Sequence, residues 1–149
     1  MRAKGPPGGS EELAARVAQD RQSTIRQNEP AMPTTVLIVD DHPAFRASAR
    51  MLLESEGFEI VGEAEDGSSA VRQATALSPD LVLLDVHLPD IDGFEVAERV
   101  IAADGAPAVI LISSRDGGEL EPRIRASAAR GFVSKADLSG ESLRALLDD

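Results

Sequence analysis

Four apolar residues in a row, Leu81-Val82-Leu83-Leu84, run straight into an acid, Asp85, and then into Val86-His87-Leu88-Pro89-Asp90-Ile91-Asp92-Gly93. The run is too short for a helix and no polar residue interrupts it, so it predicts a strand buried on both faces, as in the middle of a parallel sheet. Pro89 and Gly93 impose a loop before another helix can begin. Asp85 is therefore expected at the carboxyl end of a central strand, the edge at which open α/β sheets gather their chemistry.

The same pattern recurs on either side. Val36-Leu37-Ile38-Val39 ends in Asp40-Asp41, and Pro43 suits the first turn of a helix whose apolar side is Phe45, Ala49, Leu52 and Leu53, with Gly57 to stop it. Phe58 to Ala64 reads as a more polar edge strand, followed by a helix with Ala70, Val71, Ala74 and Leu77 on its face and a break at Ser78-Pro79-Asp80. After the central strand come a helix with Phe94, Ala97, Val100 and Ile101, a strand Ala108–Ile112 ending at Ser113, and a helix with Leu120, Ile124 and Ala128. Asp116-Gly117-Gly118 and Pro122 predict that the first turn of this helix, expected over about 119–129, is loose or short. Gly131-Phe132-Val133-Ser134 then leads to Lys135, and Ser139 can cap a last helix with Leu143, Leu146 and Leu147 inward. Five βα units with right-handed crossovers predict an α/β fold, a three-layer sandwich with one parallel sheet between helices.

Length and composition set the frame for that reading. The 149 residues hold one domain plus a tail, with a single ordinary core from 42% hydrophobic residues. The domain is expected over residues 34–149. Residues 1–33, with one weakly amphipathic stretch from Ser10 to about Gln27, are expected to be a disordered or loosely helical extension. Met32, just before the first strand, makes an over-long gene start a second explanation of that tail. The absence of cysteine excludes disulfides and thiolate-bound zinc. No apolar run approaches the roughly 20 residues of a membrane span, and nothing apolar follows the basic N-terminus as a secretory signal requires, so a soluble, cytoplasmic protein without membrane contact is expected. Residues 32–149 carry ten basic and twenty-two acidic side chains. Such a domain repels nucleic acid, and Phe45, Phe58, Phe94 and Phe132 are too scattered to stack bases, so no direct nucleic-acid binding by this chain is expected.

In a parallel sheet the strand ends share one edge. Asp40, Asp41, Asp85, Ser113 and Lys135 should therefore gather there. Three carboxylates brought close raise one another's pKa, so a divalent cation or a fixed ammonium is expected among them. Oxygen donors without a His/Cys cluster favour Mg²⁺. Lys135 supplies the ammonium: the chain uses thirteen arginines but only two lysines, the other being Lys4 in the tail. A compact point charge suits pairing with a single carboxylate or phosphoryl oxygen.

The segments Val39-Asp40-Asp41-His42-Pro43, Leu84 to Gly93, Ser113 and Gly131 to Lys135, in that order and each at a strand end, give a chain that resembles the receiver domain of bacterial two-component response regulators over about residues 34–147. The Asp-His-Pro after the first strand is similar to regulators of the NarL/LuxR kind. The resemblance implies a CheY-like, flavodoxin-like sheet of order 2-1-3-4-5. It implies a phosphoprotein in phosphorelay signal transduction, in which Asp85 takes a phosphoryl group from a sensor histidine kinase or phosphotransfer protein. It implies Mg²⁺ bound by Asp41, Asp85 and the backbone carbonyl of His87, with Asp40 helping through water. Lys135 and Ser113 would contact the phosphoryl group, and Ser113 with Phe132 would form the switch; a plain core aromatic is the simpler reading of Phe132. Such a protein is a phosphoacceptor and not an enzyme, beyond phosphorylating itself from a phosphodonor and losing the phosphate. A homodimer or partner contact through the last two helices is implied, on a face expected to carry Arg123, Arg125, Arg130 and Arg144. The chain could act alone or be the receiver fragment of a DNA-binding transcriptional regulator. A haloacid-dehalogenase-type phosphatase also uses an aspartyl nucleophile, but needs a second carboxylate two residues later, and Asp85 is followed by Val86-His87. A degenerate receiver used only for docking fits poorly, since every expected chemical residue is present.

Overall fold

The computed structural model describes residues 32–103, 105–114 and 118–148; the helix expected between Ser10 and Gln27 lies outside them. Five strands, β1 (Thr35–Val39), β2 (Glu59–Ala64), β3 (Leu81–Asp85), β4 (Ala108–Ser113) and β5 (Gly131–Ser134), form one all-parallel sheet in the order β2-β1-β3-β4-β5. The helices are α1 (Pro43–Ser55), α2 (Gly67–Leu77), α3 (Gly93–Ile101), α4 (Glu121–Ala126) and α5 (Gly140–Leu147), with a 3₁₀ turn at Lys135–Asp137.

Strand alternation decides which helices cover which face. Leu37, Val39, Val82, Leu84, Val109 and Leu111 point to the side carrying α2, α3 and the Leu120–Ile124 segment. Val36, Ile38, Leu81, Leu83, Ile110 and Ile112 point to the side of Ala49 and Leu53 from α1 and Leu143 from α5. Because both faces are covered, the three central strands are apolar without interruption and essentially unexposed. Each such aliphatic side chain contributes about 1.5–3 kcal/mol by leaving water.

The edges explain where the helix faces depart from expectation. Val36 pairs with Ile60 but Leu37 with Gly62, so β2 bulges at Val61. A Cβ on Gly62 would lie 2.7 Å from both Gln73 Oε1 and Leu77 Cδ1. Leu77 therefore leans on the edge strand and stays 40% exposed, instead of entering the core as its spacing suggests. At the other edge α4 is shorter than expected: Pro122 sits in its first turn, and the Ser127 hydroxyl donates to Ile124 O at 2.8 Å, ending the helix before Ala128. The N-terminus of α5 is tied to the end of α1, where Glu56 Oε1 accepts from Gly140 N–H and Arg144 donates to Glu56 O. Arg144 also stacks on Phe58, 4.6 Å from its ring centroid. It thus packs towards the end of α1 instead of on the shared face of the last two helices, where it is expected.

The packing sets an expectation for stability. Leu83→Ala, at 0% exposure on the central strand, should lower the unfolding free energy by about 2–5 kcal/mol. Met51→Ala, 72% exposed on α1, should change it by less than about 0.5 kcal/mol. Urea titration of the two variants checks the contrast.

Candidate functional site

Three strand ends bring the chemistry together. Asp40 follows β1 and is fully buried; Asp85 is the last residue of β3, 3% exposed; Ser113 is the last residue of β4 and fully buried. Asp85 is in register with Ile112, which puts Ser113 one position beyond it, and Ser113 is in register with Ser134, the neighbour of Lys135. The Lys135 ammonium reaches back to lie 2.6 Å from Asp40 Oδ2 and 3.3 Å from Asp85 Oδ2. It also lies 4.6 Å from the centroid of the Phe45 ring of α1, whose π face steadies the cation.

Local backbone geometry aims the carboxylates. Asp85 Oδ1 accepts the His87 N–H at 2.9 Å, and Asp40 Oδ1 accepts the His42 N–H at 2.8 Å. Both are short Asx-type turns that hold a carboxylate at the mouth of its strand. The Asp40 carbonyl accepts from Arg46 Nη1 at 2.6 Å, while Arg46 Nε donates to Glu63 of β2 at 3.0 Å. Gly93 closes the loop after β3: its N–H donates to Val86 O at 3.1 Å, and a Cβ there would collide with the Asp85 carbonyl and come within 2.6 Å of Val86 Cα. A glycine is required at this position by close approach, and not only to end a turn.

The two buried carboxyls are driven in opposite directions. Burial pushes the Asp40 carboxyl up, but the Lys135 ammonium and the His42 N–H outweigh it, so its pKa lies below the ordinary value. Burial, with the neighbouring Asp40 charge, outweighs the His87 N–H and Lys135 at Asp85, so its pKa lies above the ordinary value. For Lys135, burial works against the ammonium, but Asp40 and Asp85 together hold its pKa above that of a free lysine.

The residues fit a small hard cation. Asp40, Asp41, His42 and Asp85 each offer one ligand atom, all within 4.8 Å of one another. Asp40 Oδ2 is buried and makes no aligned hydrogen bond, despite the ammonium close by. Asp41 is 36% exposed, at the open side of the cluster. His87 enters through its backbone N–H, and its side chain is exposed. His42 is the member that strand ends alone do not point to: its Nδ1 lies 3.0 Å from Asp40 Oδ1 and 3.2 Å from Asp41 Oδ1. Its position directly after two acids was the available signal. Phe132 is half-buried, in register with Leu111, on the face towards Ile124 and Ala129. Among the described residues, no helix is long and apolar enough to cross a membrane.

A doubly wound sheet of this order with an acidic pocket at its carboxyl edge defines the CheY-like class of the flavodoxin-like fold. Residues 36–147 match the family model of the response regulator receiver domain, and the chain belongs to that family: it is the receiver domain of a two-component response regulator. A putative transcriptional regulator of Pseudomonas aeruginosa is 44% identical over 110 residues, which cover 74% of this chain and 53% of that protein. The putative virulence-factor transcription regulator BvgA of Bordetella pertussis is 36% identical over 114 residues, covering 76% of this chain and 54% of its own length. Among solved structures, the receiver domain of the putative response regulator NarL of Mycobacterium tuberculosis superposes with a TM-score of 0.70 at 35% identity, covering 79% of this chain and 96% of that one. The chain spans about half the length of the curated relatives it matches.

The electrostatics predict a pH-dependent variant. Because the folded-state pKa of Asp85 is raised, ionising it at neutral pH costs folding free energy, and that cost fades as pH falls through the elevated value. Asp85→Asn, measured with chelator present, should therefore be more stable than wild type at pH 7. The gain should shrink as pH falls through the elevated Asp85 value. Urea melts of both proteins across that range check the sign.

Proposed function

We propose that Asp85 is the phosphoacceptor of this receiver. The observation that carries the proposal is its placement: a nearly buried carboxylate at the end of the central strand, one oxygen held by the His87 N–H and the other facing Lys135. A carboxylate oxygen attacks the phosphorus of a phosphohistidine on a sensor kinase or phosphotransfer protein, the P–N bond breaks, and its electron pair leaves on the imidazole. An acyl phosphate results. Phosphoryl transfer needs charge neutralisation and alignment more than covalent assistance. Lys135 supplies one positive charge on the spot. Mg²⁺, when bound, neutralises phosphoryl oxygens and the surrounding acids; Asp40, Asp41, Asp85 and the His87 carbonyl would hold it. The protein acts on no other substrate in this reading, beyond accepting phosphate from a donor and losing it again.

In this reading Ser113, at the end of β4 beside Asp85, hydrogen-bonds a phosphoryl group on Asp85, and with Phe132 on the neighbouring strand it forms the proposed switch towards α4 and α5. A groove beside β5, lined by Phe132, Ser134, Ala145 and Leu146, supports association of a second copy or a partner along this face. Residues 34–149 make up the switching domain, with residues 1–33 as an extension. A receiver within a DNA-binding transcriptional regulator is a second reading, favoured by the roughly twofold length of relatives described as transcriptional regulators. In that case, DNA would be bound by a part other than this acidic domain.

Incubation with a small phosphodonor and Mg²⁺, followed by intact-mass spectrometry, should show the gain of one phosphoryl group in wild type and none in Asp85→Asn. Full labelling of that variant would falsify the assignment. Ser113→Ala should still be labelled but lose the donor-dependent shift in size-exclusion elution; a labelled Ser113→Ala that shifts as wild type does overturns the coupling route.

A further inference from the structure

Asp90, in the loop between β3 and α3, belongs to none of the groups described so far, and its exposed carboxylate is nonetheless fully engaged. Oδ1 accepts from the Gly67 N–H at 2.7 Å and the Ile91 N–H at 2.8 Å, and Oδ2 accepts from the Ser68 N–H at 3.0 Å. Gly67 and Ser68 open α2, on a different part of the chain. That helix already has its own N-cap, Asp66, which accepts from the Ser69 N–H at 2.8 Å. One carboxylate is the ordinary complement of a helix start. The second arrives from the loop that follows Asp85.

Local sterics show that the junction is built closely. A Cβ on Gly67 would lie 2.8 Å from Val96 Cγ2, 3.0 Å from Ile91 Cβ and 3.3 Å from Asp90 Oδ1, so α2 begins directly against the loop and the start of α3. The same loop holds Asp85 from its other end, through the His87 N–H on Oδ1 and through Gly93 packed against the Asp85 and Val86 backbone. Asp90 fastens this segment to the start of α2, an element other than the two it connects. We propose that Asp90 is a positioning residue for phosphoryl transfer: by clamping the loop to α2 it holds the His87 N–H, and through it the Asp85 carboxylate, in the orientation that the transfer needs. The proposal rests on Asp85 being the phosphoacceptor. Misplacement of a reacting group by a fraction of an ångström is enough to slow a step that depends on alignment.

Asp66→Ala supplies the control, because it weakens the same helix start without touching the loop. Three variants, Asp90→Ala, Asp90→Asn and Asp66→Ala, are compared with wild type for melting temperature, for the phosphodonor labelling rate at saturating Mg²⁺, and for hydrogen exchange of the His87 amide by NMR. Asp90→Ala should slow labelling about tenfold and speed His87 exchange by a similar factor. Asp66→Ala should melt a few degrees lower with both site readouts unchanged. Asp90→Asn, which keeps one acceptor oxygen for Gly67, should recover most of the rate. Wild-type labelling of Asp90→Ala, or equal slowing in Asp66→Ala, overturns the positioning role while the phosphoacceptor assignment stands. A wild-type protein that takes up no phosphoryl group overturns both.

Discussion

Two buried carboxylates share one ammonium beneath the carboxyl edge of the sheet, and most of what surrounds them serves to keep that arrangement in place. Asp40 and Asp85 sit on adjacent strands whose neighbours are almost wholly aliphatic, so little water reaches them to screen their mutual repulsion. Lys135 can lie close to both, but not equally: it is 2.6 Å from one and 3.3 Å from the other. The result is an asymmetric pair. Asp40 is locked as an anion, while Asp85 is left with part of its charge uncompensated. A carboxylate in that condition gains from any positive charge that enters the pocket, which is a physical reason for the fold to accept a cation there.

The scaffold around this pair is assembled from short-range devices. Phe45 underlies the lysine, Arg46 fixes the Asp40 carbonyl to the edge strand through Glu63, and Gly93 allows α3 to begin hard against the end of β3. None of these contacts is large in energy. Together they remove the freedom of three loops that would otherwise let the charges separate.

How much of this was legible in the sequence depended on the range of the signal. Continuous apolar runs were sufficient for β1, β3 and β4, and the weaker signals of β2 and β5 completed the alternation; the gathering of Asp40, Asp85 and Lys135 followed, because a parallel sheet converts strand ends into neighbours whatever the loops do. Contacts that join distant segments left no periodic trace. Nothing in the spacing of Arg144 tells that it lies over Phe58 and holds the Glu56 carbonyl, and nothing at Asp90 announces α2 as its partner. Leu77 fits an inward helical spacing, yet Gly62 lets it rest against an edge strand. The short extent of α4 has a local cause that is partly legible: Pro122 marks its start, but the hydroxyl of Ser127, which competes for the Ile124 carbonyl, carries no periodic signal.

That short helix carries a consequence of its own. No residue within α4 is fully buried; Ile124 packs part-buried on the core, and Arg123 stacks 4.2 Å over the Phe94 ring and pairs with Asp92 at 2.9 Å. Asp92 is also the N-cap of α3, accepting the Phe94 N–H at 2.7 Å, at the far end of the loop that begins beside Asp85. Detaching six residues with so little buried surface takes only a small part of the free energy that unfolds the whole domain. Within the domain α4 is thus a lightly buried plate on the sheet, tied through Arg123 to the loop that begins beside Asp85. A displacement in that loop moves the carboxylate with which Arg123 pairs, and so has the leverage to tilt the plate without disturbing the core.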